Sequence, residues 1–596
     1  MTINEKINKL RDLMKERKID MYVIPMSDFH LSEYVGDHFK TIQYMSGFTG
    51  SNATVVVSMS ESGLWTDGRY FIQAKHELSG SEVKLFEMGE EGVPTVSEYL
   101  KAHLERNCVL GFDGRVISKK QYDEFLEIVE EKSGSIYSSE DLVDIIWADR
   151  PALPKKPIYI LEEKYAGEST ESKINFLRLR VKEKKADAFL LTSLYDIAWL
   201  LNLRGDDIPC VPVFMSYVFV TEKDVTLYAF DESVSQSVRE YLASNGIEIR
   251  DYEKIYDDLK SVSSDIDSIL IDDNVVNAAL CQALGEVSFI SDINPTELMK
   301  SVKNDVEITN TKLAHIKDGV AVTKFIYWLK NNIKASEISE VDAANKLEEF
   351  RKEQENYIEP SFDTISAYGK NAAMMHYEAT EENFSYLKPE GLYLVDSGGH
   401  YYEGTTDITR TIVLGPVTDK MKEYFTVTLR SNLRLMEAHF PEGVTGQNLD
   451  VLARGPVWDM GLDYRCGTGH GVGHILNVHE GPNNFRWRIT DKGRAFPLKS
   501  GMITTDEPGL YIEDEFGIRH ENELLCVPDK KTEYGNFLKL EPLTFVPFDL
   551  DAVDASMFTY LEKESLNRYH KEVYEKISPY LNDDEAEWLK YATREI

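Results

Sequence analysis

The chain has 596 residues, of which 42% are hydrophobic, enough for several well-formed cores. Its net charge of −36 disfavours nucleic acids and anionic membranes as partners, because both carry negative charge. The five cysteines are scattered and form no disulfide framework or paired-cysteine zinc motif. Residues 1–18 are charged and no long apolar run occurs, so we expect a cytoplasmic protein without a signal peptide or a membrane span.

The N-terminal half contains an internal repeat. Residues 6–24 place an amphipathic helix before a buried strand, and residues 172–191 repeat that order. Four positions match between the two copies: Ile7, Asn8, Leu10 and Asp20 correspond to Ile174, Asn175, Leu177 and Asp187. The repeat predicts two copies of one α/β domain, residues 1–152 and 153–300, with the proline-rich segment 149–157 as the joint.

One turn in the first copy carries an arginine. Asp67 and Gly68 turn the chain, and Arg69 precedes a predicted helix from Tyr70 to Leu78. Local sequence alone favours an ordinary strand-to-helix turn with a solvated arginine.

Longer helices begin at about residue 305. One runs through Trp328, and Ser339 can cap a second that extends to about residue 354. A strand and a loop that carries His376 follow. Further helices are predicted from Thr418 to about His439, from Leu449 to Met460 and, in an acidic and aromatic tail, from Ser556 to Lys571.

Residues 391–414 read as a β-hairpin with a glycine-rich turn. One apolar run ends in Asp396, and the second begins just after Asp407. If the two runs pair, these carboxylates face each other at the mouth of the turn. Buried carboxylates repel each other unless a cation lies between them, so the hairpin predicts a cation site.

Three other segments can supply further ligands. His470 lies among glycines in residues 467–473, Glu507 ends the run 502–507, and Glu521 lies in the predicted strand 517–525, where residues 519, 521 and 523 share a face. One imidazole with four carboxylates suits Mn²⁺, Co²⁺ or Zn²⁺, and four carboxylates suit two ions that share a bridging hydroxide. This chemistry points to a hydrolase. The common helical HExxH zinc motif does not occur.

These motifs resemble the aminopeptidase P family of pita-bread metallopeptidases, whose relatives include prolidase, methionine aminopeptidase and creatinase. The matching stretches are YLVDSGGHYYEGTTDITRT, GTGHGVGHILNVHEGP, MITTDEPGLYI and GIRHENELL. The two N-terminal copies resemble the long, three-domain cytosolic form. The resemblance implies an α/β protein with two creatinase-type N-terminal domains and a pita-bread catalytic domain, residues 301–596. It also implies a homodimer.

The resemblance further implies a dinuclear site, usually filled by Mn²⁺. Asp407 and Glu521 would bridge both ions, and Glu507 would act as general base. The full ligand set would be Asp396, Asp407, His470, Glu507 and Glu521.

Other positions would contact substrate or support the ligands. His376 and His479 would bond the scissile carbonyl or the developing oxyanion, and Arg519 would steady Glu521 or nearby acids. Tyr511 matches a supporting tyrosine. Arg69 matches an arginine that contacts substrate in the family. This replaces the earlier interpretation of Arg69 as a solvated arginine in a turn. The implied reaction is removal of an N-terminal residue that precedes proline, whose tertiary amide lacks the N–H that most proteases grip.

Two rival functions stay open: a prolidase-like dipeptidase that uses the same ions, and a catalytically silent binding module. The extra N-terminal copy favours the aminopeptidase because it gives room for longer peptides. Three positions depart from the family pattern, and the sequence assigns them no role. They are Cys466, where long-form relatives often have histidine, His474, where serine is common, and His520, where an apolar residue is common.

Overall fold

The computed structural model describes residues 1–488 and 495–596 of the chain. They form two compact units, residues 1–161 with 168–296, and residues 162–167 with 297–596. Among the helices of these described residues, none has both the length and the apolar character needed to cross a bilayer.

The first unit contains two six-stranded sheets. Their strands are β1 (Met21–Pro25), β2 (Ala53–Ser58), β3 (Ser62–Thr66), β4 (Val83–Glu87), β5 (Val109–Gly111) and β6 (Ser135–Tyr137), then, after a short β7 (Tyr159–Ile160), β8 (Ala188–Leu191), β9 (Leu203–Arg204), β10 (Ser216–Thr221), β11 (Val225–Ala229), β12 (Ile247–Asp251), β13 (Ser268–Ile271) and β14 (Ser288–Ser291). The orders are β4-β3-β2-β1-β5-β6 and β12-β11-β10-β8-β13-β14, while β7 pairs with β9.

Twelve helices accompany these strands in the described chain. They are α1 (Ile3–Arg17), α2 (Thr41–Ser46), α3 (Phe71–Glu77), α4 (Val96–His103), α5 (Lys119–Glu131), α6 (Leu142–Ile146), α7 (Glu163–Ala166), α8 (Thr170–Glu183), α9 (Leu194–Leu200), α10 (Gln236–Ser244), α11 (Ile255–Val262) and α12 (Ala278–Leu284). By its residue numbers, α7 belongs to the second unit.

The two sheets repeat one another strand for strand. In the first, β1 pairs antiparallel with β2 and parallel with β5. In the second, β8 pairs antiparallel with β10 and parallel with β13. The predicted α/β class and the predicted repeat of one α/β topology are therefore confirmed. The amphipathic helix predicted within residues 6–24 is also confirmed, because Ile7, Leu10 and Met14 on one side of α1 are fully buried.

The described residues of the second unit form seven further helices and fourteen strands. The helices are α13 (Pro295–Ser301), of which the part from Glu297 lies in this unit, α14 (Asp305–Asn332), α15 (Glu340–Lys352), α16 (Asp419–Met436), α17 (Gly446–Asp459), α18 (Tyr560–Ile577) and α19 (Asp583–Ala592). The strands are β15 (Tyr357–Pro360), β16 (Ile365–Tyr368), β17 (Leu392–Ser397), β18 (Gly399–Tyr401), β19 (Gly404–Thr405), β20 (Ile408–Val413), β21 (His439–Pro441), β22 (Gly469–Gly471), β23 (Glu480–Phe485), β24 (Ile503–Asp506), β25 (Gly509–Ile512), β26 (Phe516–Arg519), β27 (Asn522–Thr532) and β28 (Gly535–Pro542).

Four sheets organise these strands. The largest has the order β21-β28-β27-β24-β22-β23, and the others are β16-β17-β20, β15-β18-β19 and β25-β26. Apolar side chains of α14, β17 and β20 form one core that includes Phe325, Leu329, Tyr393 and Ile412. Strand β17, which carries Asp396, and β20, which Asp407 precedes, therefore pack against α14.

Most predicted helices begin at the capping residues that the sequence indicates. Ser339 caps α15 and Thr418 caps α16 through their side chains. The helix predicted from Thr418 ends at Met436 rather than His439, because His439 begins β21. The tail helix begins at Tyr560 rather than Ser556, because Thr559 and Glu562 form a capping box there, and it extends to Ile577.

Two strand predictions need correction. The two runs of the predicted hairpin pair as β17 and β20, but the connection between them is not a simple turn. It contains β18 and β19, which pair with each other, and β18 also pairs with β15. The predicted strand 517–525 is also interrupted. Strand β26 pairs with β25 while β27 pairs with β24 and β28, so the chain changes partner strands at residues 520–521. Residues 519, 521 and 523 therefore do not share one face of one strand.

Candidate metal centre

Asp396 and Asp407 lie at the ends of paired strands. Asp396 on β17 is opposite Thr409 on β20, and Asp407 directly precedes β20. Both side chains are buried. The connection between β17 and β20 folds back closely on itself at Gly398. A Cβ at this position would lie 1.8 Å from the carbonyl oxygen of Thr406. The two predicted carboxylates are thus placed where the paired strands end.

His470 on β22 presents its Nε2 atom to two carboxylates. Nε2 is 3.4 Å from Asp407 Oδ2 and 3.5 Å from Glu507 Oε1. The other ring nitrogen, Nδ1, is 2.9 Å from the carbonyl oxygen of Gly471. A carbonyl can only accept, so the neutral ring carries its proton on Nδ1 and directs an Nε2 lone pair towards the carboxylates. Such an arrangement is repulsive unless a cation lies between the groups.

Glu507 follows β24 and is fixed by its neighbours. Its backbone N–H donates to the carbonyl of Thr468 at 2.7 Å, and the Thr505 hydroxyl is 3.4 Å from its Oε1. The Thr505 hydroxyl also accepts from the backbone N–H of His470 at 3.1 Å. One threonine therefore bonds both the histidine and the glutamate of the predicted ligand set.

Glu521 lies in the two-residue break between β26 and β27. Its backbone N–H donates to the Thr409 carbonyl at 3.1 Å, and its Oε2 accepts from the Thr409 hydroxyl at 2.8 Å. Ligand atoms of Asp407, His470 and Glu521 all lie within 4.8 Å of one another. Residues far apart in the sequence thus converge on one position.

The electrostatics of this cluster suit cations. Burial, reinforced by neighbouring carboxylates, raises the pKa of Asp407 and the pKa of Glu521 well above their ordinary values. Asp396 contributes to both shifts, which places its charge close to theirs. The Asp396 Oδ1 atom is buried and has no hydrogen-bond partner among the described residues. An oxygen-rich set with one imidazole lone pair therefore fits divalent ions such as Mn²⁺, Co²⁺ or Zn²⁺.

Arg519 donates hydrogen bonds to Asp396 and to two residues beside the carboxylate cluster. Its Nη2 donates to Asp396 Oδ2, its Nη1 to the Tyr511 hydroxyl at 2.6 Å, and its Nε to the Thr409 hydroxyl at 3.1 Å. The Thr409 hydroxyl in turn donates to Glu521. Thr409 was not among the residues predicted from the sequence, although the alternation of residues along β20 places residues 409 and 411 on one side.

The predicted substrate-binding residues lie in different settings. The His479 ring packs edge-on against His470, with 4.3 Å between ring centroids. His376 is half-buried in the loop after residues 369–373. Arg69 belongs to the first unit, where its Nη2 is 2.8 Å from Asp67 Oδ2. The roles of His376, His479 and Arg69 at the site stay predictions.

The three departures from the family pattern have separate surroundings. Burial, together with the charge of Glu507, raises the pKa of Cys466 to about 11, so its thiol is protonated at neutral pH. His474 is 3.2 Å from the Thr311 hydroxyl and 3.1 Å from the Tyr165 carbonyl. His520 packs against Phe425 with 4.4 Å between ring centroids, and burial lowers its pKa to about 3. His520 is therefore neutral at physiological pH and acts as a packing group.

Comparison with known proteins places the chain in a family. Residues 6–146 and 149–307 match the creatinase/prolidase N-terminal domain, residues 309–528 match metallopeptidase family M24, and residues 536–596 match the C-terminal region of peptidase M24. A probable Xaa-Pro aminopeptidase P from Paracoccidioides brasiliensis is 38% identical over 614 aligned residues, covering 100% of this chain and 99% of the relative. The chain belongs to the Xaa-Pro aminopeptidase P family.

Other relatives agree with this family assignment. A probable Xaa-Pro aminopeptidase P from Tuber melanosporum is 39% identical and covers 99% of both chains. The solved X-prolyl aminopeptidase of Caenorhabditis elegans, described as a cytosolic enzyme with a di-nuclear active site, superposes with a TM-score of 0.96 at 34% identity over 100% of both chains. An Xaa-Pro dipeptidase from Bacillus anthracis has a TM-score of 0.51 at 26% identity and covers 64% of this chain. As a member of this family, the chain is a metallo-aminopeptidase, and its second unit has the M24 pita-bread fold.

Proposed function

We propose that this metallo-aminopeptidase removes the N-terminal residue from peptides that have proline in second position. The ligands of two divalent ions would be Asp396, Asp407, His470, Glu507 and Glu521, with Mn²⁺ as the expected metal. The observation that carries this proposal is the His470 Nε2 lone pair, which faces Asp407 and Glu507 across 3.4 and 3.5 Å. Uncompensated, these groups would repel one another, and divalent cations remove that repulsion.

Divalent ions held by these five residues would supply Lewis-acid chemistry, which polarises a carbonyl and lowers the pKa of a bound water molecule. The residues of the chain supply the rest of the chemistry. Glu507 would take the proton of the attacking water, since its side chain is 23% exposed, against 6% for Asp407. His479, against the ring of His470, would donate a hydrogen bond to the carbonyl oxygen as negative charge develops there. His376 would take the same role.

Two further features support a substrate with proline in second position. An Xaa-Pro bond has no N–H, so a site that holds the carbonyl oxygen and the free amine can cleave it without gripping the peptide as a β-strand. The buried carboxylates also suit the positive charge of a free N-terminus. Arg69 is proposed to reach this substrate from the N-terminal half.

The wider assignments are proposals of the same kind. We propose three domains, residues 1–152, 153–300 and 301–596, supported by the repeated sheets and by the four family matches. A cytoplasmic location is supported by five free cysteines and by the cytosolic C. elegans relative. A homodimer is supported by exposed apolar side chains on α17, Val451, Leu452 and Trp458.

The test is a peptide-length series with the full-length protein. We expect Mn²⁺-loaded protein to release the first residue from Xaa-Pro-Yaa and longer peptides, with EDTA abolishing release and Mn²⁺ restoring it. Matched Xaa-Ala-Yaa peptides should be cleaved far more slowly. Metal analysis should find two ions per chain. Release from Xaa-Pro dipeptides alone would indicate a prolidase-like dipeptidase, and a lack of metal-dependent release would indicate a silent binding module.

A further inference from the structure

Arg410 lies on β20 directly after Thr409, and its guanidinium holds the backbone around Glu521. The side chain is 1% exposed and points away from the carboxylate cluster, because neighbouring strand residues alternate in direction. Its Nη1 donates to the backbone carbonyl of Glu521 and, at 2.9 Å, to that of Thr409. Its Nη2 donates to Asn522 Oδ1 at 2.8 Å.

The C-terminal part of the chain holds the same guanidinium from the other side. Arg410 Nη2 is 2.8 Å from the Val546 carbonyl and 2.9 Å from the Tyr569 hydroxyl of α18. Its Nε donates to the Pro547 carbonyl at 3.3 Å, and the Phe548 ring lies 4.2 Å from its Cζ. The guanidinium therefore connects α18 and residues 546–548 with the break between β26 and β27.

The Tyr569 hydroxyl is the centre of this connection. It is 2.8 Å from the Val546 carbonyl, 3.0 Å from the Thr544 carbonyl and 3.2 Å from Asn522 Oδ1, in addition to its contact with Arg410. The tyrosine is 2% exposed. Its position is thus determined by partners from both the C-terminal segment and β27.

Burying the positive charge of Arg410 costs free energy. The hydrogen-bond partners named above are all neutral, and burial lowers the pKa of Arg410. An apolar side chain would fill the same space without this cost, but it could not bond the Glu521 carbonyl. With the two bonds from Thr409, the Thr409–Arg410 pair holds Glu521 at its N–H, its C=O and its carboxylate.

We infer that Arg410 and Tyr569 are positioning residues for the Glu521 side of the metal centre. Tyr569 and residues 544–548 fix Arg410, and Arg410 fixes the backbone from which Glu521 extends. This inference rests on the proposed role of Glu521 as a ligand. It gives the C-terminal region a function in metal binding, although Arg410 and Tyr569 bind no metal themselves.

The test is Tyr569→Phe, which removes the hydroxyl and keeps the ring. The matched control is Tyr393→Phe, because Tyr393 is equally buried, bonds Ser366 Oγ at 2.7 Å through its hydroxyl, and occupies the face of β17 away from Asp396. Mn²⁺ affinity and stoichiometry are measured by calorimetry on each full-length protein, with circular dichroism and metal-free melting as folding controls. We expect Tyr569→Phe to weaken Mn²⁺ binding about tenfold, and Tyr393→Phe to retain wild-type affinity, even if both melt at lower temperature.

Glu521→Gln separates this inference from the proposed function. If Glu521→Gln weakens Mn²⁺ binding or loses one or both ions, while Tyr569→Phe binds Mn²⁺ as tightly as Tyr393→Phe does, the positioning role is wrong and the ligand assignment stands. If Glu521→Gln retains both ions at wild-type affinity, the ligand assignment is wrong, and the inference with it. The kinetic readout is kcat for Xaa-Pro-Yaa at saturating Mn²⁺, which should recover in Tyr569→Phe because added metal compensates for weaker binding.

Discussion

The charges of Asp407 and its neighbours decide what this site can hold. Burial of its carboxyl, together with the charges of Asp396, Glu507 and Glu523, raises its pKa well above the ordinary value. Folding therefore opposes ionisation of Asp407 when no cation is present. Metal binding requires the opposite, an ionised carboxylate, so the same residue should destabilise the metal-free protein and stabilise the loaded one.

Asp407→Asn should show both effects. The pKa of an aspartate in the unfolded chain is about 4. When folding raises this pKa, the folded protein loses stability as the pH rises from about 4 through the pKa of the folded state. The metal-free variant should thus gain at least about 1 kcal/mol over the metal-free wild type at about pH 8, and less at about pH 5. Melting curves with EDTA and with Mn²⁺ check this.

When metal is added, the wild type should become more stable than Asp407→Asn. Mn²⁺ should raise the melting temperature of the wild type, because a ligand that binds only the folded state stabilises it, and should raise that of Asp407→Asn much less. Equal stabilisation of both proteins by Mn²⁺ would contradict the assignment of Asp407 as a ligand.

Glycine lets strand β22 come close enough to its neighbours to direct His470 into the cluster. A Cβ at Gly469 would lie 1.8 Å from the Thr505 carbonyl oxygen, well inside van der Waals contact. The neighbouring strand β24 leads to Glu507, so displacement of Thr505 would move two predicted ligands at once. The close strand contact is thus a requirement of the metal centre as well as of the sheet.

Gly469→Ala should therefore reduce stability and metal binding together. Overpacking of this kind costs about 1–3 kcal/mol, and displaced His470 and Glu507 should lower Mn²⁺ affinity by more than the folding defect explains. The measurements are urea unfolding of the metal-free protein and Mn²⁺ calorimetry on the folded protein.

Gly455→Ala in α17 is the matched control. Its Cβ would meet Arg434 Nη1 at an ordinary 3.9 Å, and alanine is the better helix former by about 0.8–1 kcal/mol. Gly455→Ala should keep wild-type Mn²⁺ affinity and be at least as stable. A Gly469→Ala protein with wild-type affinity would show that the approach of β22 to β24 does not position the ligands.

At the scale of the whole chain, sequence patterns predicted what depends on local order. The match of Ile7 and Leu10 with Ile174 and Leu177 predicted two sheets of one topology, because helix and strand periodicity are local. The break at residues 520–521 was not predictable, since the change from β25 to β24 as partner depends on strands elsewhere in the sequence. Arg410 was missed for the same reason: its partner Tyr569 is 159 residues away.

The net charge of −36 is also a property of the whole chain, and it should affect how peptides reach the site. A negative field attracts cationic substrates over roughly the Debye length, which falls from about 30 Å at 0.01 M salt to about 8 Å at 0.15 M. Peptides with added positive charge should gain association rate at low salt, and acidic peptides should lose it.

The corresponding experiment compares two Xaa-Pro peptides that differ only by lysine or glutamate at the third position. Between about 0.01 M and 0.15 M NaCl, kcat/KM for the lysine peptide should fall several-fold, while that for the glutamate peptide should stay level or rise. Since kcat at saturation does not include the encounter step, it should change little with salt for either peptide. Equal salt dependence of kcat/KM for both would show that the charge of the chain does not steer its substrates.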